Sequence, residues 1–187
     1  MALAKSKTNT LFQYYLQNGF DHTVDEIAIA LGVTHKTFFN RYGSKTNSIQ
    51  AARKYWHDLI SERFRTKMLQ CNHSVEELLF FILEIQLIRK NEMVFFQFEN
   101  EGRYFITDET PLKDILESIL QKGIRHYQFE ESIDRDSYIP FLIQNLCDYL
   151  PIAENKVQTI KYLLLPLLTE RGQELLEELD IHCFIVS

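Results

Sequence analysis

The chain has 187 residues, 45% hydrophobic and 25% charged, with only six Gly and four Pro. That length can bury the core of one domain, or of one domain carrying a small second one, and the composition excludes disordered, collagen-like and linker-type chains. Net charge is −6, yet residues 1–67 hold ten Lys/Arg against five Asp/Glu while the remainder holds ten against 21, a basic end joined to an acidic body.

Strand signals are scarce and helical periodicity recurs throughout, so an all-α chain is expected. Leu11, Phe12, Tyr15 and Leu16 form the apolar face of a first helix, which stops at Asn18-Gly19. Thr23-Val24-Asp25-Glu26 is a capping box opening a second helix, with Ile27, Ala28 and Leu31 on its apolar face and Gly32 at its end. Thr34 caps a third helix over residues 35–42, with Phe38, Phe39 and Tyr42 as its apolar contacts. After Gly43-Ser44 a long helix is expected over residues 45–68, burying Ile49, Ala52, Trp56, Leu59, Ile60 and Phe64.

Longer helices follow. Ser74-Val75-Glu76-Glu77 reads as a second capping box leading into residues 78–88, with one or two helices over 92–100 and a loop over 101–109. Thr110-Pro111 starts a helix that runs to about Tyr127, because Pro at the first helical position gives up no needed N–H. Another helix spans roughly residues 137–150, and a last one residues 154–179, which Pro166 must kink or split.

The second and third helices, joined by the Gly32 turn, make a helix-turn-helix pattern. Ala28 is small where the two helices cross, and Ile27, Leu31, Val33 and Phe38 fix the angle between them. The outward face then carries Thr34, His35, Lys36, Thr37, Asn40 and Arg41, all able to donate hydrogen bonds. A helix with such a face suits the major groove, whose base edges present a readable donor and acceptor code. On spacing alone, an αα-corner of any helical protein remains the alternative.

The residues Gly19-Phe20, Thr23 through Ala28, Gly32-Val33-Thr34, Thr37-Phe38-Phe39 and Tyr42-Gly43-Ser44-Lys45 resemble the DNA-binding domain of TetR-type transcriptional regulators over roughly residues 8–55. The resemblance implies an N-terminal three-helix domain over residues 1–46 and a helical ligand-binding and dimerisation bundle over 47–187, linked by the long helix. For the bundle it rests on length and helicity alone. It places Lys45 and Thr23 near DNA phosphates, where a helix N-terminus suits an anion. Thr34 and Thr37 would touch backbone or bases, and His35, Lys36 and Asn40 would set sequence preference. Three positions depart from the family pattern. Phe39 stands where Tyr is usual and lacks the phosphate-binding hydroxyl; Lys36 replaces a Gly and adds a cation; Ser48 replaces a Leu, which is expected to loosen packing of the long helix.

The aromatics of the acidic body pack as core or, under the resemblance, partly line a pocket for a small hydrophobic or aromatic ligand: Phe80, Phe81, Phe95, Phe96 and Tyr104, together with Trp56 of the long connecting helix. Leu142, Leu146, Ile160, Leu164 and Leu167 would join two copies in a four-helix bundle, which makes sense because one short helix reads too few base pairs for tight binding.

An enzyme is not expected: the sequence holds no P-loop, G-x-G-x-x-G, H-E-x-x-H, G-x-S-x-G or E-x-x-H motif. Cys71, Cys147 and Cys183 are scattered without C-x-x-C spacing, so neither a disulfide framework nor a metal site is expected, and no cofactor is implied. Residues 1–10 show no apolar signal segment, and the longest apolar runs, 78–83 and 162–168, fall short of the roughly 18 residues of a spanning helix. The expectation is a cytoplasmic, homodimeric regulator, a repressor that binds palindromic operator DNA and is modulated by a ligand. The alternatives are a helical scaffold that has lost specific DNA binding and, last, a helical enzyme.

Overall fold

Helix boundaries in the computed structural model, which describes residues 2–98 and 111–184, follow the caps and breakers of the sequence closely. The chain divides into two compact units, Met1–Ile60 and Ser61–Ser187. Among the described residues the regular structure is helical, apart from an isolated bridge between Phe129 and Leu168. None of the described helices is long and apolar enough to cross a membrane.

The first unit contains α1 (Ala2–Asn18), α2 (Val24–Ala30), α3 (His35–Tyr42) and most of α4 (Lys45–Met68). Its core is Leu11, Phe12, Tyr15, Ile27, Ala28, Phe38, Ile49, Ala52 and Trp56. The expected capping box is present: Thr23 Oγ1 accepts the Glu26 N–H, and a Glu26 carboxylate oxygen accepts the Thr23 N–H at 2.7 Å. Gly32 has φ +64, the left-handed conformation that lets the chain reverse between α2 and α3 without a Cβ penalty. Thr34 caps α3 by accepting the Thr37 N–H at 3.1 Å.

Two expectations in this unit are corrected. Phe39 does not join Phe38 in the core: Phe38 is fully buried, whereas Phe39 is 39% exposed, because neighbouring helical positions diverge by about 100°. Ser48 does not loosen α4. It is fully buried, lies 2.6 Å from the Tyr15 hydroxyl, and donates to the Lys45 carbonyl at 2.6 Å. Burial raises the pKa of the Tyr15 hydroxyl and keeps it protonated. A Leu there would leave that hydroxyl without its partner.

The second unit continues α4 and adds α5 (Ser74–Asn91), α6 (Met93–Phe98), α7 (Pro111–Arg125), α8 (Arg135–Asp148), α9 (Lys156–Leu164) and α10 (Glu170–Glu178). Short 3₁₀ turns cover Leu150–Ile152, Leu165–Leu167 and Ile181–Phe184. Helix α5 is apolar nearly all round, the pattern of a central helix, and α7, α8 and α10 pack around it. Phe64 of α4 meets Phe81 of α5 with ring centroids 5.4 Å apart. The cap of α5 is His73, whose Nδ1 accepts the Glu76 N–H, rather than Ser74. Ser74 is instead the first helical residue, and its N–H is taken by the buried Gln128 side chain at 2.9 Å. Pro166 splits the last stretch into α9, a 3₁₀ turn and α10, since it cannot donate an N–H and its ring crowds the preceding turn.

Some polar groups on and beside α5 are paired, while Ser74 Oγ and Glu84 Oε2 are buried with no hydrogen-bond partner among the described residues. Arg63 grips Glu92 with two bonds of 2.8 and 3.0 Å, and one of its nitrogens lies 3.9 Å from the buried Glu84 carboxylate. Burial pushes the pKa of Glu84 up while Arg63 pulls it back. Glu77, also buried, is bound by Lys122 of α7. The Gln128 backbone carbonyl accepts the Thr169 N–H at 3.2 Å, and the Thr169 hydroxyl donates to the Tyr127 carbonyl at 2.7 Å. Gly172 opens this clasp: a Cβ there would lie 2.1 Å from the Gln128 carbonyl oxygen.

Candidate nucleic-acid interface

The residues expected to face DNA lie within the first unit: Thr23 caps α2, Lys45 starts α4, and the others fall between Thr34 and Arg41 on α3 and its cap. Thr34, His35, Lys36, Thr37, Phe39, Asn40 and Arg41 are all exposed, and Phe38 alone among the residues of α3 is buried. The spacing that produces this is simple: one aromatic anchor on the inner face leaves the remaining turn positions to solvent.

Hydroxyl partners decide what each polar residue can offer. Thr34 and Thr37 lie with hydroxyl oxygens 2.9 Å apart, so one donates to the other and the second proton stays available to an outside acceptor. Thr23 is more committed: its hydroxyl donates to Glu26 at 2.8 Å while accepting the Glu26 N–H at 3.3 Å. His35 stacks on Phe39 with centroids 4.6 Å apart, and its Nε2 lies 3.7 Å from Asp25 of α2. Arg41 lies over the Tyr42 ring, 5.8 Å from its centroid.

Lys45 is the first residue of α4 and half-buried, next to a helix N-terminus where unsatisfied N–H groups and the helix dipole favour an anion. Ser44 caps that terminus by accepting the Asn47 N–H at 3.1 Å. Two features escaped the sequence reading. Ile29 of α2 is 78% exposed, and the Tyr42 hydroxyl is buried with no hydrogen-bond partner among the described residues.

The residues expected in the acidic body fall elsewhere. Trp56, Phe80, Phe81 and Phe95 are buried, with Phe64 against both Phe80 and Phe81 in ordinary ring packing. Tyr104 and the Phe96 side chain lie outside the described residues. An open groove of about 370 Å³ is lined by Glu117, Gln121, Ile133, Asp134, Arg135 and Asp136, with none of Trp56, Phe80, Phe81 and Phe95 among its lining. Leu142, Leu146, Ile160, Leu164 and Leu167, expected at a subunit contact, are buried within the single chain at 0–1% exposure. They belong to the protomer's own core. The same elements turn Phe141, Tyr149, Tyr162 and Leu165 outward, at 50, 57, 67 and 40% exposure.

No family model and no curated protein matches the sequence. Solved structures do match its fold. A γ-butyrolactone receptor described as ArpA-like shares 15% identity over 95% of both chains, with a TM-score of 0.64. CprB from S. coelicolor A3(2), a TetR-family protein, shares 15% identity over 94% of this chain and 95% of its own, with a TM-score of 0.60. KstR2 of Mycobacterium tuberculosis, a ketosteroid transcriptional regulator, shares 17% over 88% of this chain and 94% of its own, with a TM-score of 0.53. The chain has the all-α fold of TetR-family regulators along nearly its whole length. At these identities the likeness is one of fold, and function rests on the site.

Proposed function

We propose that the chain is a TetR-type transcriptional regulator, a repressor that binds palindromic operator DNA as a homodimer. The observation that carries the reading is α3: capped at Thr34, anchored by Phe38, and presenting Lys36, Asn40 and Arg41 to solvent from a basic segment. Such a helix fits the major groove, with Lys36, Arg41 and Lys45 neutralising phosphates and the polar side chains reaching base edges. Thr23, with its hydroxyl engaged by Glu26, serves as a cap first.

Two copies are needed for specificity, with recognition helices about 34 Å apart, one turn of DNA. The outward Phe141, Tyr149, Tyr162 and Leu165 support a subunit contact on the α8 and α9 face, because large exposed aromatics of this kind favour burial against a partner. Likeness to a γ-butyrolactone receptor and a ketosteroid regulator supports a small, largely apolar effector in the second unit. Such a ligand would shift spacing between the two recognition helices by binding one state of the dimer better than the other.

The test is fluorescence anisotropy on duplex DNA from upstream of the chain's own gene, beside a scrambled duplex, at two salt concentrations. Specific binding that weakens as salt rises supports the reading. Lys36→Ala and Arg41→Ala should each weaken binding across sequences and reduce the salt slope by about 1, while the dimer survives on a sizing column. Unchanged affinity in both variants would place the recognition surface elsewhere.

A further inference from the structure

We propose that Phe39, with His35 stacked against it, reads the C5-methyl group of thymine in the major groove. The assignment rests on the DNA-binding reading above and adds the base feature that the helix selects. Phe38 is fully buried and anchors α3, whereas Phe39, about 100° further round the helix, stands 39% exposed on a face open to solvent. An aromatic ring on that face has no donor or acceptor to offer a base edge or a phosphate. The major groove has one apolar feature that distinguishes bases, the thymine methyl, and an apolar side chain is what recognises it.

The ring is also held in place. His35 covers one side at 4.6 Å between centroids, with planes inclined by 41°. Phe38 meets it edge-on at 6.1 Å and 76°, tying it to a buried residue. Asp25 Oδ1 of the neighbouring helix lies 3.7 Å from His35 Nε2. A ring fixed before binding loses little conformational freedom on contact, which is where a small apolar contact gains its affinity. Exposed Lys36 lies one turn before it, at i−3 on the same helix, so charge complementarity favours DNA over a protein partner as the occupant of this aromatic step.

The experiment begins with the full-length protein and a random-sequence duplex pool, from which a bound sequence is enriched. Each thymine of that sequence is then replaced by uracil, which removes only the methyl. At one position per half-site the change should weaken binding by the parent about fourfold, and ~15-fold when both half-sites are changed together, the effect of one lost apolar contact each. Phe39→Ala should be indifferent to the same replacement, while Phe39→Leu, which keeps an apolar side chain, should retain part of the sensitivity. Circular dichroism confirms that both variants stay helical. If no uracil replacement affects the parent, or if Phe39→Ala responds as the parent does, the methyl assignment fails while DNA binding stands. If the pool enriches nothing, the DNA-binding reading itself fails, and this assignment with it.

Discussion

Replacing Ser48 by Ala tests how the first unit holds α1 to α4. Ser48 Oγ donates to the Lys45 carbonyl at 2.6 Å, so its proton is committed and the Tyr15 hydroxyl, 2.6 Å away, must be the donor between them. Both residues are fully buried. Ala leaves the Tyr15 O–H enclosed with no acceptor, a loss of about 1–3 kcal/mol. Tyr15→Phe removes the hydroxyl itself and leaves Ser48 bonded to Lys45, so it loses about 0.5–1.5 kcal/mol. The double variant strands nothing, and should be no less stable than Ser48→Ala alone. The cycle therefore closes with a coupling of about 1 kcal/mol. Thermal unfolding followed by far-ultraviolet circular dichroism reads this directly, since a loss of about 2 kcal/mol lowers the midpoint by roughly 4–8 °C in a chain of this size. Strictly additive single losses would mean the two hydroxyls do not depend on one another, and the reasoning would be refuted.

Gly172→Ala should destabilise the second unit by about 3 kcal/mol, because the added methyl meets a backbone carbonyl that cannot rotate away; urea unfolding measures it, and a midpoint equal to the parent's would show that the clasp at Gln128 has slack. Glu26 gives a pH signature. Its carboxyl is held below its ordinary value of 4.5, first by the backbone bond from Thr23 and then by the Thr23 hydroxyl. A depressed folded value means the contribution is complete above pH 4.5 and is lost as pH falls through the folded pKa. Glu26→Gln should therefore melt lower than the parent at neutral pH and converge with it in acid; a constant gap between the two melting curves across that range would contradict the capping-box assignment.

Local chemistry made the helix ends legible. Thr23 with Glu26, Thr34, Gly32 and Pro111 act on their immediate neighbours, so the bounds of α3 and α4 could be read from sequence alone. What depends on distant residues could not. Phe38, Phe39 and Tyr42 look alike in a pattern of apolar positions, and only the packing of α3 shows that Phe38 turns inward. Ser74 looked like a cap because Glu77 follows it at the right spacing, but Gln128, 54 residues away, claims its N–H and leaves capping to His73. Ser48 looked like a defect until Tyr15 was seen opposite it. The leucines of α8 and α9 were expected at a subunit contact, yet they fill the protomer's own core, because an apolar stripe does not say whether it packs within one chain or against a second. The outward side of those helices is marked by aromatics whose polar tips and spacing blend into an ordinary amphipathic pattern.

Helix α3 is fastened by very little. One buried ring, one threonine cap and the glycine turn before it define its position, and the remaining side chains touch solvent. An eight-residue peptide of this sequence would not stay helical by itself, since isolated helices shorter than about 12 residues rarely do. Inside the protein the same economy becomes an asset: residues 35, 36, 40 and 41 can be exchanged without opening a cavity or stranding a buried partner. A lineage carrying this scaffold can therefore drift from one target to another while its stability stays where it was.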